Sequence, residues 1–269
     1  MLSMRYMHTR QWGLAVCLAA LCVPARAERL VVAAFEYPPI YQNEAEKGSA
    51  GDLVVAAFKA AGIEAELKFL PVNRMVSMVA SGENACGIGG AVLFENPEVA
   101  QKVVVGPPVQ HVLQTFMYDT RRYPQGIRFS RLADMADYRI GVLNSIGIMH
   151  YLQRETSLKI EANRTHEGSA RQLQLQRLDV WAVVDLTGLM TMKALFPQES
   201  RFYRTTAPFN RGDVSLVCAR ARDGQGRYMR DFRSGLDRIK KDGTYMQIMA
   251  KYYGGAGRIN RDALPDDLK

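Results

Sequence analysis

Cysteine is scarce in this 269-residue chain: there are four, and two of them, Cys17 and Cys22, fall within the first 27 residues. Only Cys86 and Cys218 lie beyond. There is no Cys-x-x-Cys and no His-Glu-x-x-His, and His111, His150 and His166 are far apart in sequence, so no metal site of recognisable spacing is present. Gly-x-Ser-x-Gly and Gly-x-x-x-x-Gly-Lys are missing as well. Gly87-Ile88-Gly89-Gly90 lacks the third glycine of a dinucleotide fingerprint. Covalent, metal and nucleotide chemistry therefore have no support, and no cofactor is expected. A carboxylate acid/base pair has no spacing rule, so the sequence leaves that chemistry open.

Long apolar runs are also lacking. The uncharged stretch Trp12 to Val23 has 12 residues, against the roughly 18 that a membrane span requires. It follows Arg5, His8 and Arg10 and precedes Ala25-Arg26-Ala27, which reads as a secretory signal cleaved after Ala27. Val16 and Leu21 stand where a lipoprotein signal places a small residue before its cysteine, so a soluble exported protein beginning at Glu28 is expected. Three arginines leave with the signal, and the formal net charge of +8 falls to +5. That excess is spread along the chain with no basic stripe or recognisable module, so nucleic acid is not an expected partner. An oxidising compartment permits a Cys86–Cys218 bridge, and two small buried hydrophobes account for the same residues equally well.

What is present is an alternation of short β-rich runs with helical ones, the pattern of an α/β protein with mostly parallel sheets. Leu30 to Phe35 is a compact apolar strand. Leu53, Val54, Ala57 and Phe58 give a helix that Gly62 can end. Ala65, Leu67 and Phe69 alternate with charged residues as a half-buried strand. Met75 to Val79 gives a short helix, and Ala85 to Val92 a third strand. A second unit has strands at 112–118, 139–143 and 180–184, with helices near Ser130, Ile146 and 169–177. A strand at 214–219 and helices at 226–241 and 243–253 follow. The tail from Gly254 reads as a loosely held terminus.

In open α/β sheets, ligands bind beyond the carboxyl ends of the strands, at loops that lead into helix N-termini. Five segments put polar or aromatic groups there: Tyr37-Pro38-Pro39, Asn73-Arg74, Gly89-Gly90, Asn144-Ser145 and Asp185. Each has a plain structural alternative: a packing aromatic, a surface arginine, a bulge, ordinary caps. Together they describe one cleft.

Tyr37-Pro38-Pro39, Gly48 with Asp52, Ser81-Gly82-Glu83, Ile140-Gly141-Val142 and Leu178-Asp179-Val180-Trp181-Ala182-Val183-Val184-Asp185 occur in a telling order. With Lys241-Asp242-Gly243-Thr244 and Lys251-Tyr252-Tyr253-Gly254 after them, the chain resembles the extracellular solute-binding proteins of amino-acid-type ABC importers. That resemblance implies the class II periplasmic-binding-protein fold, with lobe 1 at 28–110 and 208–255, lobe 2 at 111–207 and a tail at 256–269. It implies a non-enzymatic monomer that closes on a small polar ligand, amino-acid-like or carboxylated, and delivers it to a membrane permease. The ligand site implied is Tyr37, Arg74, Gly90, Asn144, Ser145, Gly147 and Asp185. Tyr37 would cover the ligand and Asp185 would hold an α-ammonium group. The family's carboxylate-binding arginine after the third strand is absent from Phe94-Glu95-Asn96-Pro97-Glu98-Val99, and Arg74 is the cation positioned to replace it. The implied topology makes the strands of Cys86 and Cys218 neighbours, an arrangement whose geometry does not favour a bridge. Two other functions fit the scaffold: a dehydratase-like periplasmic enzyme, and a soluble sensor for a separate receptor.

Overall fold

A computed structural model describes residues 29–144 and 147–269. The expected signal sequence and Ser145, one of the proposed ligand residues, lie outside the described residues.

The first unit runs β1 (Arg29–Ala34), α1 (Ser49–Ala60), β2 (Glu64–Phe69), α2 (Val72–Ala80), β3 (Cys86–Gly89) and the short α3 (Pro97–Ala100). The long β4 (Val103–Asp119) leads into β5 (Arg139–Leu143), α4 (Ile148–Leu152), β6 (Lys159–Asn163), α5 (His166–Gln174), β7 (Val180–Val184) and α6 (Asp185–Leu195). The chain then passes through β8 (Tyr203–Thr205) and returns along β9 (Asn210–Ala219) to α7 (Arg227–Lys241) and α8 (Thr244–Tyr253).

The strands form one sheet in the order β2-β1-β3-β9-β4-β7-β5-β6, with β8 on β4. β1, β2 and β3 are parallel, as are β5, β6 and β7. The antiparallel pair β4 and β9 joins these two groups and carries the chain from one to the other. This gives two α/β lobes connected by two strands. The register of β4 against β9 slips around Pro108, where Pro107 and Pro108 have no N–H to donate to the ladder.

Burial follows the pattern of each strand. In β7, Val180, Ala182 and Val184 join one apolar cluster while Trp181 and Val183 join another, as alternation requires. Lobe 1 packs α1, α7 and α8 on one face of its sheet, around Phe58, Phe232 and Tyr245, and α2 on the other, around Met75 and Val79. α7 lies so close to α1 that a Cβ on Gly235 would sit 1.8 Å from the Ala57 carbonyl oxygen. Only glycine fits at that crossing.

Several sequence expectations need correction. Cys86 and Cys218 are bonded to each other. They oppose directly in the antiparallel β3–β9 ladder with Cα atoms 4.0 Å apart, and the Ala219 N–H donates to the Ala85 carbonyl beside them. That makes them a non-hydrogen-bonded pair, the position of closest approach between adjacent strands. The tail is not loose. Ala263 and Leu264 are buried in the lobe 1 core, Arg211 binds the Leu264 carbonyl and Asp266, and Lys240 holds Asp267. The segment near Ser130 forms a single 3-10 turn, Leu132–Met135, instead of a longer helix. The third strand ends at Gly89, and Ala91–Phe94 turns away as 3-10 helix. β6 carried no readable alternation, because as an edge strand its residues are mostly exposed or half-buried.

Candidate functional site

The carboxyl ends of the parallel strands converge on one edge of each lobe. From lobe 1 they deliver the loop after β1. A tight turn fixes Tyr37 there: its N–H donates to the Tyr41 carbonyl at 2.8 Å, and its own carbonyl accepts from Ile40 and Tyr41. The Pro38-Pro39 peptide is cis. The Tyr37 ring packs against the apolar clusters of both lobes, and burial raises the pKa of its hydroxyl.

Lobe 2 delivers Asp185 at the end of β7 as the first residue of α6. Its carboxylate is buried and accepts one bond, from the Leu186 N–H at 2.7 Å. No lysine, arginine or histidine pairs with it among the described residues. Burial in a site without a counter-charge pushes its pKa up to about 6, partly offset by that one N–H. Tyr253 of α8, from lobe 1, is near enough that the charge of Asp185 adds to burial in raising the pKa of its hydroxyl. The N-terminus of α6 also ties the lobes together. Leu186 sits in the lobe 1 core, and Thr187 Oγ1 donates to the Pro38 carbonyl at 2.9 Å.

Sequence reasoning passed over Thr187 and also His166, which it set aside as a lone histidine. His166 opens α5 just beyond the end of β6, behind the N-cap Thr165 whose Oγ1 accepts from the Gly168 N–H. Its ring meets Tyr37 edge to face at 5.6 Å and Trp181 at 5.8 Å. Its Nδ1 is buried without a hydrogen-bond partner. Had β6 been legible, the residue after its carboxyl end would have entered the same positional argument as Asp185.

The other expected site residues that are described make no bond to this core. Arg74 is exposed at the third position of α2, with no hydrogen bond or ion pair among the described residues. Gly90 is half-buried where β3 gives way to 3-10 helix. Asn144 is exposed, its N–H bonded to the Asn163 carbonyl. Gly147 takes the N-cap position of α4 with φ +102, a conformation that suits glycine. None of the four bonds to Tyr37 or Asp185. Two open clefts, of about 420 and 710 Å³, lie elsewhere: one under the C-terminal segment beside Pro108 and Lys240, the other by Arg29 and Lys68. Neither is lined by Tyr37 or Asp185.

What this geometry offers is a junction of the two lobes at which a buried carboxylate, Asp185, and an aromatic, Tyr37, stand at strand ends. No described group of three or more His, Cys, Asp and Glu residues could hold a metal ion. No described helix is long and apolar enough to cross a membrane.

Solved structures share the architecture. A histidine kinase sensor domain with similarity to periplasmic binding proteins is 20% identical, with 86% of this chain and 98% of that one covered and a TM-score of 0.62. An ancestral cationic amino acid solute-binding protein is 17% identical over 83% and 95% of the two chains, with a TM-score of 0.67. The substrate-binding protein of an amino acid ABC transporter is 16% identical over 84% and 99%, with a TM-score of 0.58. These likenesses establish the two-lobe class II periplasmic-binding-protein fold. No curated protein matches the sequence. The family described as bacterial extracellular solute-binding proteins, family 3, matches residues 30–255. By that match, which spans both lobes and the strands between them, this chain belongs to family 3 of the bacterial extracellular solute-binding proteins.

Proposed function

We propose that the chain captures a small ligand bearing an ammonium group, amino-acid-like and carboxylated, between its lobes, and hands it unchanged to an ABC-type importer. The observation that carries this reading is Asp185, a buried carboxylate with no cation beside it. Burying a lone charge is costly unless it is paired, so a site that keeps one open is suited to a ligand that brings the partner. Tyr37 covers the ligand's apolar middle. Arg74, at the N-terminus of α2, is the cation available to a ligand carboxylate, and Gly90, Asn144 and Gly147 would meet the ligand from the other strand ends. The similar structures that bind amino acids, an ancestral arginine-binding protein among them, support the same class of ligand.

In this reading lobe 1 comprises 28–110 and 208–255, lobe 2 comprises 111–207, and β4 and β9 are the hinge. The exported protein starts at Glu28, works in the periplasm as a monomer, and performs no chemical step. A thermal-shift screen of amino acids, amines, carboxylates and neutral sugars tests the ligand class. A ligand at 100 times its dissociation constant adds about 2.7 kcal/mol to stability. Amino acids or amines should raise Tm and neutral sugars should leave it unchanged. A sugar or a simple dicarboxylate as the best ligand would overturn the reading. Recovery of a converted product would point instead to a dehydratase-like enzyme, the reading suggested by the similar ancestral precursor of cyclohexadienyl dehydratase.

A further inference from the structure

One contact between the lobes is a chain of three rings. Tyr37, from the loop after β1, meets His166 at 5.6 Å with the planes 89° apart. His166 continues onto Trp181 at 5.8 Å, and Trp181 is fully buried in lobe 2 between α5 and α6. The residue proposed to cover the ligand is thus connected to the interior of the opposite lobe through one histidine.

We infer that His166 is a positioning residue: as a neutral ring it latches Tyr37 to lobe 2 when the lobes close, and its protonation releases the latch. The inference concerns regulation of the cleft proposed above and rests on that reading. Its basis is geometric. Edge-to-face rings at this spacing attract beyond their burial alone, so the ring of His166 holds Tyr37 in place. The latched ring is poorly placed to take a proton at Nδ1. Its Nδ1 is buried without a partner, and adding a proton there would create a buried cationic donor with nothing to accept it. Of the elements packed against it, the β1 loop offers uncharged Tyr37 and β7 offers Trp181. Glu167, next to it on α5, is the one charged group among the described residues that acts on it. Burial outweighs Glu167, and the pKa of His166 lies below the ordinary histidine value. Acidification therefore favours an arrangement in which His166 is hydrated and Tyr37 is free.

Trp181 makes the test direct, because Trp12 and Trp181 are the only tryptophans and Trp12 lies in the expected signal. In the exported protein without added ligand, acrylamide quenching of tryptophan fluorescence should at least double between pH 8 and pH 5, reversibly, with a midpoint below 6.5. His166→Phe keeps a ring and removes the titration, so quenching should stay low at both pH values. His166→Ala removes the ring, and quenching at pH 8 should already equal that of the parent protein at pH 5. A parent protein whose quenching does not change with pH would overturn the inference, as would a His166→Phe variant that titrates like the parent. Circular dichroism confirms that each variant is folded, and the phenylalanine variant decides the question even if the alanine variant unfolds. No added ligand is used, so failure of the latch is distinguishable from failure of the ligand assignment, which the Tm screen reads separately.

Discussion

Asp179 stands just before β7 and Asp185 just after it, so one strand separates two buried carboxylates, 7% and 4% exposed. Asp179 is fully engaged. The backbone N–H and guanidinium of Arg139, the guanidinium of Arg122 and the Tyr123 hydroxyl all bind it. Burial alone would raise its pKa, but these donors and cations outweigh burial and lower it. Asp185 has one N–H and no cation, and its pKa rises to about 6. The two differ by partner count: Asp179 is supplied with counter-charges by the fold, and Asp185, on the reading proposed above, leaves that partner to a ligand.

Breaking the engaged end should have the largest effect on stability. Asp179→Ala strands the buried Arg139 N–H and leaves two guanidinium groups without their anion, which should cost about 2–4 kcal/mol in urea denaturation and leave ligand affinity unchanged. The sign with pH follows from its lowered pKa. The stabilisation is present above the unfolded value near 4 and is lost as pH falls through the lower folded value. A loss below 0.5 kcal/mol would mean that Asp179 is no more than a surface carboxylate.

The open end should respond in the opposite direction. A carboxyl held near 6 in the folded state and near 4 when unfolded costs stability at neutral pH, by about 3 kcal/mol. Asp185→Asn keeps an acceptor for the Leu186 N–H and removes the charge, so ligand-free protein should gain up to about 3 kcal/mol at pH 8. Between pH 6 and pH 4 the folded parent takes up the proton that the unfolded chain lacks, and the gain should shrink to nothing. Urea denaturation at pH 8 and pH 4.5 checks both points. A destabilised variant at pH 8 would show that Asp185 has a structural partner after all.

The smallest effect belongs to Arg74. It is exposed, and water screens its charge, so Arg74→Ala should alter stability by no more than about 0.5 kcal/mol and weaken a carboxylated ligand by about tenfold. Calorimetric titration showing unchanged affinity would remove Arg74 from the site.

Much of this was legible in the sequence because it is local. Apolar strands, helix-stopping glycines and the residues after each strand are properties of short stretches, and Tyr37 and Asp185 were singled out by their positions at strand ends. What was missed depends on which strand neighbours which. Cys86 and Cys218 are 132 residues apart, and their bond required the β3–β9 register to bring them opposite each other. His166 looked isolated because Tyr37 and Trp181 reach it only across the two lobes and through the packing of α5 on β7. Ala263 and Leu264 lie in a polar tail whose composition hides these apolar anchors.

The claim that Asp185 awaits a ligand's ammonium group is tested most directly by titration calorimetry of the parent protein and Asp185→Asn at pH 8, with the amino acid or amine that raises Tm most. Losing a buried charge-assisted contact of about 2–4 kcal/mol predicts a loss of about thirtyfold to a thousandfold in affinity, in a variant that is at least as stable as its parent. Affinity within threefold of the parent would contradict the account, since the buried carboxylate of Asp185 would then have no part in binding.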